Sequence, residues 1–191
     1  ENLDVARRAV IFGLEQLRPS DRFNVLMMKT HPERLARNLM PASREHVLEA
    51  VSFVNSASAS GGTDLYNSFM NALEQFRLRK RPCLIIFAGH GRGTVGITAP
   101  ETIIDDVRRR NKVRARIFTL AVGQRADMAV LSKLSATNGG SCIHFSERDT
   151  FPVTVGRLYA RIATPVVSNL SLDFQDVSVE GIFPDPIPDL S

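Results

Sequence analysis

Tryptophan is absent from the 191 residues, and there are only two tyrosines and two cysteines. So few cysteines exclude a small domain stapled by disulfides, and Cys83 and Cys142 lie too far apart for the Cys-x-x-Cys spacing of a structural zinc site. Each sits in an apolar run, Cys83-Leu-Ile-Ile-Phe and Cys142-Ile-His-Phe, where a thiol behaves as a small buried hydrophobe. No stretch approaches the roughly 18 apolar residues of a membrane span, and the N-terminus has no basic-then-apolar export pattern. The balance of 43% hydrophobic and 23% charged residues excludes a disordered chain. A chain of this length buries roughly 70% of its unfolded surface, enough for a core without metal or disulfide. It opens at Glu1 and closes on Pro188-Asp189-Leu190-Ser191, so the expectation is a piece of a longer protein.

The net charge of +4 and pI near 9.5 point toward an anionic partner until the surplus is located. It falls in two clusters, Arg77 to Arg81 and Arg108 to Arg116, each following a helical pattern and preceding a strand. Cations there complement the negative end of a helix dipole, so a solvated helix end is favoured over a nucleic-acid footprint.

Leu3, Ala6, Val10, Leu14 and Leu17 fall at helical spacing and predict a first helix ending near Arg18, before the turn at Pro19. Phe23 to Met28 reads as a buried strand and Leu35 to Leu39 as a weaker one. Ser43 caps a second helix that turns Val47, Ala50, Val51 and Val54 inward. A third helix starts near Thr63 or Asp64 and repeats Leu65, Phe69, Ala72, Leu73 and Phe76 on one face. Strand and helix then alternate: Cys83 to Ala88, Pro100 to Arg110, Ala115 to Val122, Asp127 to Ala136, and Cys142 to Phe145. A last helix carries Phe151, Val155, Leu158 and Ile162, and after Pro165 an alternating segment, Val167 to Val179, reads as an extended arm. Strands apolar on both faces and separated by helices predict a doubly wound α/β fold, a mostly parallel sheet with helices on both sides.

Ligands of such sheets gather at the carboxyl ends of the strands, where two loops stand out. Gly61-Gly62-Thr63-Asp64 opens the third helix, and Thr63 or Asp64 either caps it or offers an oxygen to a metal or anion. Gly89-His90-Gly91-Arg92-Gly93-Thr94-Val95-Gly96 follows the most apolar strand. Gly91-x-Gly93-x-x-Gly96 fits the dinucleotide pattern formally, but Thr98 and Pro100 place the helix start too late, and the next strand ends without an acidic residue to hold a ribose. His90 is the one histidine placed for chemistry, and no serine stands in a nucleophile elbow.

Taken in order, Leu17-Arg18-Pro19-Ser20-Asp21-Arg22-Phe23-Asn24-Val25, Gly61-Gly62-Thr63-Asp64, Thr94-Val95-Gly96-Ile97-Thr98 and Asn138-Gly139-Gly140 resemble the von Willebrand factor A domain. The subgroup is that of inter-α-trypsin inhibitor heavy chains and their bacterial relatives, and the tail around Ile162 to Val167 and Phe183 to Leu190 is similar to theirs. The resemblance implies a vWA-like domain over 1–164, an arm over 165–191, and a secreted or cell-envelope setting. It implies a non-enzymatic protein-interaction or adhesion module whose partner is a protein ligand, with no nucleic acid and no membrane segment. A phosphate- or nucleotide-binding domain using Gly89 to Gly96 is the alternative.

Members of the family bind Mg²⁺ through an Asp-x-Ser-x-Ser loop after the first strand, a Thr of a Gly-Gly-Thr loop, and an Asp after the fourth strand. Thr63 matches the Thr, whereas His90 stands where the Asp is expected. Glu1 aligns with the start of the family's first helix, so the central first strand and its Asp-x-Ser-x-Ser loop fall outside this sequence. The expectation is therefore a degenerate or incomplete adhesion site that binds no cofactor.

Overall fold

The computed structural model describes residues 2–58, 61–76, 81–145, 155–156 and 158–160. Asn2–Glu15 forms α1, which tightens at its end through Gln16 N donating to Gly13 O and Leu17 N to Leu14 O before Pro19 stops it. The segment after it departs from the predicted single strand over Phe23 to Met28. β1 (Arg22–Phe23) pairs antiparallel with β4 (Met40–Pro41), and β2 (Leu26–Met27) pairs with β3 (Glu33–Arg34). Residues 24–25 thus face the five residues 35–39, which bulge out where a weaker strand was expected.

Asn24 is the cause. Its Oδ1 accepts from Val25 N at 2.8 Å and Ala36 N at 3.1 Å, while Nδ2 donates to Ala36 O at 2.7 Å and to Gln75 Oε1 at 3.0 Å. A side chain that imitates the backbone in this way replaces the ladder and breaks the strand. Among the described residues neither ribbon pairs with the strand at Leu84–Gly89.

The remaining elements follow their caps. α2 (Arg44–Asn55) starts at Ser43, whose hydroxyl accepts from His46 N, and turns Ala50 and Val54 inward. α3 (Leu65–Leu73) is capped by Asp64 rather than Thr63. β5 (Leu84–Gly89) leads to α4 (Pro100–Arg110), with proline at the first turn where its missing N–H is harmless. β6 (Arg116–Val122), α5 (Met128–Ala136, capped by Asp127) and β7 (Cys142–Phe145) complete the order.

β5, β6 and β7 form one parallel sheet in that spatial order, with Ile85 opposite Ile117 and Leu120 opposite Ile143. Alternation along β6 divides the core. Ile117 and Ala121 face α3, α4 and α5 with Leu65, Phe69, Ile103, Val107, Leu131 and Leu134. Phe118 and Leu120 face α1 with Ala9, Phe145, Val155 and Leu158. A third cluster, Leu14, Phe23, Val25, Ala50 and Val54, joins α1, α2 and the antiparallel ribbons. The one polar side chain inward on β6, Thr119, is satisfied by Leu131 O at 3.2 Å and Ser135 Oγ at 2.8 Å, which pins α5 to the sheet. Neither cysteine is in a disulfide; both are half-buried against the α3–α5 face, and burial pushes the Cys83 thiol up.

Residues 155–156 and 158–160 are helical, within the predicted last helix. The rest of that helix and the arm over 165–191 lie outside the described residues. Among the described residues no helix is long and apolar enough to cross a membrane.

Leu120 is fully buried at the centre of the sheet. Leu120→Ala is expected to lower stability by about 2 to 5 kcal/mol and the unfolding midpoint by roughly 5 to 15 °C, read by calorimetry.

Candidate functional site

The parallel strands end on one side of the molecule, and four chain segments meet there. Lys29 O accepts from Asp64 N at 3.0 Å, and Thr30 Oγ1 accepts from Gly62 N at 2.9 Å. Thr63 N donates to Thr94 Oγ1 at 2.8 Å, while Thr63 O accepts from Thr94 N and Val95 N at 2.9 and 3.3 Å. His90 O accepts from Asp127 N at 2.8 Å, which ties the loop after β5 to the start of α5. The Gly-Gly-Thr-Asp turn and the glycine-rich loop are therefore one hydrogen-bonded unit.

Asp64 is the buried acid of this unit, 5% exposed. Its Oδ1 accepts from Asn67 N at 2.9 Å and its Oδ2 from Asn67 Nδ2 at 2.7 Å, so the carboxylate is occupied in starting α3. Gly96 lies against it with φ +69°, and a Cβ at that position would stand 2.9 Å from Asp64 Oδ2. Only glycine takes this backbone without strain while letting the loop rest on the carboxylate.

His90 is exposed at the end of β5. Its Nδ1 accepts from Arg92 N at 3.0 Å, so in the neutral ring Nε2 carries the hydrogen and points a donor outward. Two other histidines bond elsewhere: His46 Nδ1 contacts Pro41 O, and His144 Nε2 contacts Gly123 O. Thr63 and His90 thus belong to one loop cluster, but the hydrogen bonds that order it run through Thr94 and Asp127. Sequence reasoning passed over Thr94, because a partner 31 residues away leaves no local pattern. Among the described residues no group of three or more His, Cys, Asp and Glu side chains is arranged to hold a metal ion.

Three of the loop's backbone donors are already bonded. The N–H groups of Arg92, Thr94 and Val95 are taken by His90 Nδ1 and Thr63 O, and α4 begins at Pro100, four residues beyond Gly96.

Residues 1–143 match the family model of the von Willebrand factor type A domain. The chain belongs to that family. Domains of this type are typically protein-interaction and adhesion modules. Among curated relatives, this vWA domain is 30% identical over 184 residues to inter-alpha-trypsin inhibitor heavy chain H4 of Homo sapiens, covering 92% of this chain and 20% of that protein. It is 27% identical over 183 residues to heavy chain H6 of Homo sapiens, covering 90% and 14%. The chain thus spans about a fifth or less of the curated relatives it matches.

Solved structures share the fold. A von Willebrand factor type A protein from Catenulispora acidiphila superposes with a TM-score of 0.71 at 14% identity, covering 83% of this chain and 38% of that one. Proximal thread matrix protein 1 of the mussel byssus, with a zinc-occupied MIDAS motif, gives 0.63 at 15% identity over 84% and 40%.

Gly96→Ala is expected to destabilise the vWA domain by about 1 to 2 kcal/mol from the left-handed backbone alone. Urea unfolding checks it, and a loss well below that range would show that the loop lifts freely off Asp64.

Proposed function

We propose that this vWA domain is a non-enzymatic protein-interaction module whose strand-end site engages its partner without the family's divalent cation. His90 carries this reading. A Mg²⁺ site requires hard oxygen ligands, and the residues present fit it poorly: the imidazole is a borderline nitrogen donor, and the Asp64 carboxylate is occupied in the cap of α3. Binding a metal through Nε2 would also require the other tautomer, which loses the bond from Arg92 N. Thr63 matches the family's threonine ligand, but its backbone N–H and carbonyl are engaged with Thr94 and Val95.

What the site offers instead is a set of donors. His90 Nε2–H and the exposed Arg92 face a partner's carboxylate or carbonyl directly, and Ile97, 40% exposed on the same loop, adds an apolar contact. Membership of the von Willebrand factor type A family supports the interaction role, and the departure at His90 supports a metal-free version of it here.

Titration calorimetry of the chain with Mg²⁺ is expected to show nothing tighter than a millimolar dissociation constant. A site filled a hundredfold above its Kd would add about 2.7 kcal/mol and raise the unfolding midpoint by roughly 5 to 10 °C. The expected shift between chelator and Mg²⁺ is none, and micromolar binding overturns the reading. Likewise, millimolar phosphate or ATP is expected to leave proteolysis of the Gly89 to Gly96 loop unchanged; protection there would favour a nucleotide site instead.

A further inference from the structure

At the opposite end of the strands the chain builds a second surface, on the turn between α4 and β6. Asn111 organises it. Its Nδ2 donates to Ala115 O at 2.7 Å and to Asn138 Oδ1 at 2.8 Å, and its Oδ1 accepts from Ala115 N at 2.7 Å. Asn138 is itself buried and donates to Leu134 O at 2.9 Å, so the turn is anchored in the core through α5. On this frame Arg114 takes φ +53°, the only non-glycine residue among the described ones with a left-handed backbone. A strained conformation persists where its surroundings over-determine it, and such positions cluster at binding sites.

Arg108, Arg109, Lys112 and Arg114, with Asp105 and Asn111, line a shallow cavity of about 390 Å³. Arg109 pairs with Asp106, which also accepts from Tyr66 at 2.9 Å. Arg108, Lys112 and Arg114 are exposed and form no ion pair or side-chain hydrogen bond among the described residues. The helix dipole accounts for cations in the last turn of α4. It does not account for Lys112 and Arg114, which lie beyond the helix on a turn held rigid by Asn111.

We infer that this cavity docks an acidic, carboxylate-rich peptide segment of a protein partner. Guanidinium forks match carboxylates in bidentate geometry, and a preset turn loses little freedom when it engages one. Asp105 decides between anions. A duplex presents an unbroken row of phosphates, one charge per roughly 1.7 Å, and would lay some of them against this carboxylate. A peptide places its acids at intervals and brings backbone N–H groups that Asp105 can accept. The cavity also suits one or two side chains rather than an extended polymer. It lies before β6, whereas His90 lies after β5, so on a parallel sheet the two surfaces are at opposite ends and each stands or falls by its own test.

The test is fluorescence anisotropy of the full chain with a labelled oligoglutamate peptide at about 50 mM salt, where screening is modest. Arg108→Glu with Arg114→Glu is expected to weaken binding by about tenfold or more. Arg34→Glu with Arg37→Glu, the same change in net charge on exposed residues of the ribbon, is expected to stay within about twofold, with thermal unfolding confirming that both variants fold. Asp105→Asn, which keeps an acceptor for the peptide's N–H groups and removes the charge facing a duplex, is expected to leave the peptide within about twofold and to tighten a short duplex DNA; a peptide loss or gain well beyond that with no change in duplex binding overturns the role given to Asp105. No binding by the unaltered chain, equal losses in the two double variants, or a short duplex DNA bound more tightly than the peptide each overturns the inference.

Discussion

A strand buried on both faces has to find every backbone partner inside the molecule, and β6 is that strand here. From Ile117 to Val122 each residue is buried, with β5 on one side and β7 on the other. An unpaired backbone group at this depth costs about 1 to 3 kcal/mol, so its neighbours are fixed before anything else is decided. Parallel pairing then forces the crossovers: α4 must return the chain from the end of β5 to the start of β6, and α5 from β6 to β7. The alternation of β6 splits the core into an α3–α5 side and an α1 side, and Thr119 locks the first through Leu131 and Ser135.

That polarity also separates the two surfaces. At the carboxyl ends, Thr63 and Thr94 close the loops on each other and take up the N–H groups of Thr63, Thr94 and Val95. At the amino ends, Asn111 does the reverse: it satisfies the backbone of the turn from within, so the charged side chains are left facing solvent. Both are cases of loops held by a scaffold whose own requirements are already met.

The helices were legible in the sequence because their ends are written in local chemistry: Ser43 as a cap, Pro100 at a first turn, and apolar residues at a period of 3.6. The antiparallel ribbons were not. Phe23 to Met28 is apolar enough for a central strand, and only Asn24 breaks it, by bonds to Ala36 and Gln75 that sequence spacing does not reveal. The cap of α3 stayed open between Thr63 and Asp64 because both side chains can accept, and burial chose the carboxylate. Leu84-Ile-Ile-Phe-Ala-Gly89 reads as an interior strand, uncharged and without proline, and the described residues pair it on the β6 side alone.

Family membership fixes the frame and leaves the site to its own side chains, since one fold serves many functions. In a cation-centred site the metal supplies a concentrated positive charge that captures a partner's carboxylate. On the proposed reading His90 stands where such a site has an aspartate, and it cannot help hold that charge while its Nδ1 accepts from Arg92 N. It can, however, meet the same carboxylate from the other nitrogen. A donor of this kind is worth less than a bare cation but needs none bound first, so recognition of the same chemical group becomes independent of metal supply. The substitution that removes a ligand from the family's site is thus, on this reading, the one that keeps its specificity.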